Sequence, residues 1–493
     1  MALQSPGFLF FAAALLAGYY LGPGSWQGGL LLAGSLGYYA LAARGWPLLP
    51  LVTAVSAWAT ARYFMYNGPG NKGKNRPALA ACLALNFGLL LFCKACQTEP
   101  LYSFVRATAL EPLTRGLPLG MSFYIFMAMG YVLDVYRGRL PAEKSLWKTA
   151  LFTLYFPQLI QGPISRGSEL LPQLLIPRPF SGRQVSFGLQ RMLWGYFKKL
   201  VIADRVAPAV AALRAEGEGG AFLLLTILYA LEIYADFTGG IDIVLGYSQA
   251  LGITLPENFR HPFFSKNIAE YWRRWHITLG TWMRDYVYYP ISVSCPIRRL
   301  GRAARKRLGG FGKRLPVYLA TAATWAVTGL WHGLTPNFLT WGMLNCLVII
   351  VSQELAPLYR RFHSRFGLKK KPWYAGFEML RMFFLMNLIR ACDLFLDVGE
   401  YFRRLGTLFS PALWRFRLPE LGLTPWDWVL LALGAGTMLT VSILEEKRGS
   451  LRELLWERWP LRWALTFGLF LAVLLFGRYG VGYEASSFIY NRF

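Results

Sequence analysis

An all-α, polytopic membrane fold is what this sequence predicts, and three observations predict it. Apolar residues make up 55% of the 493 positions, aromatics 16% and charged residues only 16%, a balance unlike that of a soluble domain. Apolar runs of near-spanning length recur from one end to the other. The basic excess, a formal net charge of +26, is gathered in short segments between those runs.

The runs cover residues 7–22, 28–43, 46–65, 78–96, 117–135, 147–162, 186–211, 221–249, 315–331, 335–356, 374–392, 426–444 and 463–480. Several are shorter than the roughly 20 residues of a straight crossing, which predicts tilted, re-entrant or half helices among about 11 to 14 membrane elements. The first run has no Lys or Arg ahead of it in MALQSPG, so it is expected to be a retained span with its amino end outside. The segment RYFMYNGPGNKGKNRP then falls inside, in keeping with Arg62, Lys72, Lys74 and Arg76. Its GPGNKGKN contains a GxGxxG and most of a P-loop, but the Ser or Thr after the Lys is missing and no βαβ unit surrounds it; a flexible loop is expected.

Two further basic groups, Arg298, Arg299, Arg302, Arg305, Lys306 and Arg307, then Arg360, Arg361, Arg365, Lys369, Lys370 and Lys371, read as cytoplasmic loops against anionic membrane lipids. No aromatic-interleaved basic groove and no DNA-binding motif accompanies them, so no nucleic-acid partner is expected. The six cysteines lie mostly inside apolar runs. Cys93 and Cys96 have CxxC spacing without a second ligand pair and read as buried thiols.

Four stretches depart from a plain span. YFPQLIQGPISR (155–166) carries Pro157, Gly162 and Pro163, which break the backbone ladder where protein or water must line it and predict a re-entrant segment lining a cavity, with a simple kinked span as the alternative. RMLWGYFKKLVIADR (191–205) predicts an interfacial helix whose Lys198 and Lys199 snorkel to the headgroups. LEIYADFTGGID places Glu232 and Asp236 four apart on one helix face with Asp242 following, as structural partners or as a substrate-contacting polar strip. Within YWRRWHITLGTWMRDYVYYP (271–290), a 100° wheel over Glu270 to Val287 gathers Glu270, Arg273, Arg274, Thr281, Arg284 and Asp285 in an arc of about 120°. That pattern predicts one amphipathic helix at the interface or along a funnel, with His276 at the flank of its apolar arc. His261 and His363 are expected in solvated polar loops.

TWAVTGLWHGLTPNFLTWGMLN (324–345) sets His332 between two long apolar runs. A titratable ring there is costly and needs a specific reason. Serine-hydrolase chemistry lacks its GxSxG, since GYSQA from Gly246 ends in alanine, and no HExxH, His and carboxylate metal box or cofactor fingerprint occurs. No metal and no bound cofactor are expected. Neutral imidazole can take a hydroxyl proton while the oxygen attacks an activated carbonyl, help worth roughly 10²- to 10⁴-fold and sufficient for a thioester. His332 is read as the base of an acyl transfer. A transporter or flippase using the broken helices with Asp236 or Asp242 is the alternative of another class.

PLGMSFYIFMAMGYVLDVYRG, YFPQLIQGPISR, YADFTGGIDIVLGYS, ENFRHPFFSKNIAEYWRRWHITLGTWMRDYVYYPI and GLWHGLTPNFLTWG, in this order, resemble the membrane-bound O-acyltransferase family. The resemblance is strongest to its bacterial polysaccharide O-acetylation branch, with teichoic-acid D-alanylation as a cousin. It extends from LQSPGFLFF to the closing RYGVGYEASSFIYNRF. The resemblance implies one membrane domain over 1–493, with amino-terminal spans (1–115), a catalytic core (116–356) and carboxy-terminal spans (357–493) around a central funnel. It implies catalytic roles for His332 and, through the WRRWH motif, for His276, with Trp331, Asn345, Asp236, Trp275, Arg273 and Arg274 as candidate substrate contacts. The donor would be a cytoplasmic acyl thioester, acetyl-CoA or an acyl carrier, and the acceptor an extracytoplasmic glycan, reached directly or through a partner acyltransferase. The setting would be the bacterial plasma membrane. D-alanyl transfer to teichoic acid is the alternative within the family. One departure stands out: relatives that acetylate polysaccharides commonly carry a histidine where this chain has Asn345, so that position can hydrogen-bond but cannot act as a base.

Overall fold

The computed structural model describes residues 2–42, 48–68, 70–108, 110–414, 421–479 and 488. Nearly all of the closing stretch RYGVGYEASSFIYNRF lies outside them. Helices follow the apolar runs in order, and among the described residues the only β-type pairing is an isolated antiparallel bridge between Phe259 and Trp275. Among the described residues four helices are long and apolar enough to cross a membrane: Lys72–Ala95, Gly220–Ala250, Pro425–Arg448 and Trp459–Phe476. The pair Pro336–Glu354 and Ala356–Phe366, bent by 55°, makes a fifth if it is one span. Trp459–Phe476 buries none of its residues, as a helix that meets lipid must.

Local chemistry sets the ends. Ser5 accepts a hydrogen bond from the Phe8 N–H and Pro6 opens Pro6–Leu21, the usual pairing of a hydroxyl cap with a proline that has no N–H to lose. Asn71 accepts from the Lys74 N–H at the start of Lys72–Ala95. Half of GPGNKGKN is therefore the first turn of a helix and not loop.

The chain divides into two compact units, one of Met1–Arg205, Ile233–Pro256 and Val429–Phe493, the other of Val206–Glu232 and Glu257–Trp428. In the first, Leu146–Leu154 and Phe156–Gln161 are separated at Tyr155, and an extended segment follows at Gly162. Residues 149–165 are all buried. The broken ladder expected from Pro157, Gly162 and Pro163 is therefore enclosed by protein, where freed backbone groups can be re-satisfied; the Phe156 N–H donates to Ser35 Oγ at 3.1 Å.

The same unit corrects the reading of 191–205. Gly182–Tyr196 passes into a π-helical turn, Phe197–Ala203, and packs backbone to backbone on Gly220–Ala250. A Cβ on Gly188 would fall 2.4 Å from the Gly246 carbonyl oxygen, and one on Gly195 2.5 Å from that of Gly239. Small residues permit such approach in membrane helices. At that distance Lys198 and Lys199 cannot snorkel. Lys198 Nζ lies 2.5 Å from Asp242 Oδ2, and Lys199 Nζ lies 2.6 Å from Asp236 Oδ1 and 2.9 Å from Asp204 Oδ1. Arg191 completes the group at 2.8 Å from Asp242 Oδ1.

In the second unit the basic group at 298–307 is helical, within Cys295–His332. The chain turns back at Gly309 (φ 55°), with Gly312 against the Ala304 carbonyl and Gly301 against Pro316, while the basic side chains remain exposed. His363 is half-buried in Ala356–Phe366, with Nε2 2.8 Å from the Tyr374 hydroxyl, and His261 is half-buried at φ 44°. His363 is thus in a helix and not a loop, while His261 lies in a loop that leaves it partly exposed. The amphipathic helix expected over 270–287 is in fact Ile268–Arg274, a turn at Trp275 and His276, Ile277–Met283 and a π-helical turn, Arg284–Tyr288. That break places His276.

Candidate active site

His332 is the last residue of Cys295–His332, and Gly333 closes the helix by donating its N–H to the Gly329 carbonyl at 3.1 Å. Pro336 opens the next helix, Pro336–Glu354, where a residue without a donor costs nothing. The two helices form a hairpin tight enough that a Cβ on Gly329 would lie 2.5 Å from the Phe338 carbonyl oxygen and one on Gly333 2.3 Å from the Phe338 ring. The glycines of GLWHG thus let the returning helix fold directly over the histidine. Its ring is buried between Trp331 (centroids 4.8 Å), Trp341 (4.9 Å, near perpendicular) and Phe338 (6.2 Å, stacked).

His276 is reached by another route. Its backbone is in the left-handed region, φ 46° and ψ 51°, a conformation that costs a non-glycine residue about 1–3 kcal/mol and persists only where surroundings enforce it. Here a short segment enforces it from both sides: Arg260 N–H donates to the Arg274 carbonyl at 2.9 Å and Ile277 N–H to the Asn258 carbonyl at 3.0 Å. The imidazole is buried, with Nδ1 3.3 Å from Asn258 Oδ1 and its ring 5.8 Å from that of Trp331. Trp331 therefore contacts both imidazoles. This turn lies outside the spanning helices, and burial, with the Arg390 guanidinium adding to it, pushes the His276 pKa down to about 3. The ring is neutral and is suited to hydrogen bonding, its basicity being too low for it to take up a proton near neutral pH.

Arg390 was not among the expected site residues. It ends the helix Pro372–Arg390, is buried, and lies over two indole faces, 5.1 Å from Trp275 and 5.0 Å from Trp341. Asp393 partners it at 3.6 Å. One cation thus joins the residue preceding His276 to the ring packed on His332. An Arg at the end of an apolar run with Asp three residues on was the signal available in the sequence. Lysine in its place keeps the charge but loses the planar stacking. Arg390→Lys is expected to lower stability by ~1–2 kcal/mol and to slow transfer, measured as the thermal midpoint in detergent beside the acylation rate.

The remaining candidates are placed as follows. Trp275 is buried, its ring stacked on Tyr271 (5.8 Å) and edge-on to Phe259 (5.0 Å). Asn345, one turn beyond Trp341 and fully buried, donates Nδ2 to the Trp341 carbonyl at 2.8 Å, and its Oδ1 has no partner among the described residues. Arg274 is paired with Glu270 at 2.9 Å and Arg273 is exposed. Asp236 belongs to the other unit, where it pairs with Lys199. Among the described residues no three His, Cys, Asp or Glu side chains gather as a metal-binding group.

Two buried imidazoles against a shared indole suit proton transfer in a setting of low water content. Residues 139–298 and 304–395 match the membrane-bound O-acyltransferase family. A probable alginate O-acetylase of Azotobacter vinelandii is 32% identical over 72% of this chain and 69% of its own length. A peptidoglycan O-acetyltransferase of Helicobacter pylori is 28% identical over 57% of this chain and 56% of its own. A teichoic acid D-alanyltransferase of Bacillus subtilis is 26% identical over 47% and 58%. Both histidines and Trp331 lie inside the matched residues, and the chain belongs to the membrane-bound O-acyltransferase family.

Proposed function

We propose that this acyltransferase is a multi-pass protein of the bacterial plasma membrane that moves an acetyl group from a cytoplasmic thioester towards a hydroxyl of an extracytoplasmic polysaccharide. The observation that carries the reading is the pair of buried histidines in contact with Trp331. His332 is the base: it takes the hydroxyl proton as the oxygen bonds to the thioester carbonyl carbon, the C–S bond breaks, and the departing thiolate takes the proton back. An ester and a free thiol remain. His276 orients the donor or acceptor. Acetyl is preferred to D-alanyl because the similarity to the alginate O-acetylase is higher and covers more of the chain than that to the D-alanyltransferase. The acceptor is reached directly or through an extracytoplasmic partner acyltransferase, and acetyl-CoA is the expected donor.

Mild alkali applied to envelope glycan from cells with and without the protein tests this by the acid it releases. Acetate that disappears with the protein supports the reading. Loss of D-alanine instead moves the protein to the teichoic-acid branch, and no difference in any ester overturns acyl transfer to the glycan.

A further inference from the structure

We infer that Asn258 is a positioning residue that fixes His276 in the Nδ1–H tautomer, so that Nε2 is the ring's hydrogen-bond-accepting atom. The inference rests on the acyl-transfer reading for its function but not for its geometry. Asn258 is fully buried, and its Oδ1 lies 3.1 Å from the Thr278 backbone nitrogen, 3.0 Å from Thr278 Oγ1 and 3.3 Å from His276 Nδ1. A backbone N–H can only donate, so the amide atom facing Thr278 N must be the oxygen; with the amide turned over, two donors would meet head on. That oxygen is also the atom facing His276 Nδ1, so Nδ1 carries the proton. The lone pair is left on Nε2.

The same residue holds the backbone. Its carbonyl accepts the Ile277 N–H at 3.0 Å, immediately after the left-handed His276, and Phe259, next to it, bridges to Trp275. Side chain and main chain of one asparagine therefore fix both the place of the imidazole and the nitrogen it offers. Buried hydrogen-bond partners commonly choose the tautomer of a working histidine in this way. With Nε2 unprotonated, His276 accepts a hydrogen bond from an acceptor hydroxyl or a substrate N–H; it does not donate to a developing oxyanion. That separates two roles that the sequence motif alone leaves open.

The chain has four histidines, few enough for nitrogen-15 NMR of the full-length, histidine-labelled protein in detergent, with no ligand added. The signal lost in His276→Gln identifies the ring; Asn258→Asp, which perturbs the same signal, assigns it a second time should His276→Gln fold poorly. The expected result is a protonated, pyrrole-type Nδ1 and a bare, pyridine-type Nε2. Asn258→Asp, still an acceptor for Nδ1 and for Thr278, keeps that pattern and most of the glycan ester. Asn258→Leu loses the pattern and lowers ester formation by ~10²-fold, an effect of the order seen when a tautomer-fixing partner is removed. A protonated Nε2 in the unmodified protein overturns the inference, as does an Asn258→Asp variant that folds yet is as inactive as Asn258→Leu. Because the tautomer is read on the resting protein, this failure is distinct from that of the acyl-transfer reading, which falls only if ester formation is independent of the protein.

Discussion

Replacing His332 with alanine is expected to reduce alkali-labile ester on the envelope glycan to background, because general-base help worth roughly 10²- to 10⁴-fold is removed at the reacting hydroxyl. The variant should still insert and remain folded. The imidazole is held by aromatic contacts with Trp331, Trp341 and Phe338, and the glycine-mediated hairpin that brings them together does not depend on it. His332→Gln sharpens the test, since glutamine fills the space and hydrogen-bonds but cannot accept a full proton at neutral pH. Both variants should therefore be equally inactive at equal protein level. Normal ester in either one would remove His332 from the chemistry and return the transporter alternative to consideration, whose signature is substrate movement that survives loss of this residue.

How much of this was legible beforehand differs between the two histidines for a physical reason. His332 sits between apolar runs of membrane length, and a titratable group there announces itself; the glycines around it also read as close-approach positions. His276 lies in a stretch whose periodicity fits one amphipathic helix, and the period was misleading. The chain leaves the helix at Trp275 and His276 because Asn258 to Arg260, well upstream in sequence, pairs with that turn. Helical periodicity carries no sign of a distant partner strand. The same limit hid Arg390, whose role comes from two tryptophans on other elements. Lys198 and Lys199 failed for a related reason. Snorkelling assumes lipid on the facing side, whereas glycine pairs bring Gly220–Ala250 close enough for its carboxylates to take both ammonium groups.

Lys199→Met is expected to be the most destabilising single change in that group, at ~3–5 kcal/mol, because it takes a cation from the buried Asp236 and the half-buried Asp204. Asp236 and Asp204 both lie within 3 Å of the Lys199 ammonium, so the change leaves two like charges close together, that of Asp236 buried. Asp236→Leu leaves Lys199 with Asp204 and should cost less. The double variant Lys199→Met with Asp236→Leu removes one charge of each sign and should be more stable than Lys199→Met alone, the positive coupling expected of residues in one network. Thermal midpoints in detergent across this cycle measure it, with ester formation followed in parallel. If Asp236 acts as a structural partner, activity tracks the amount of folded protein in all three variants. An Asp236→Leu protein with an unchanged midpoint and no ester would instead make Asp236 a substrate contact, and would separate the two roles that its place beside Glu232 on one helix face left open.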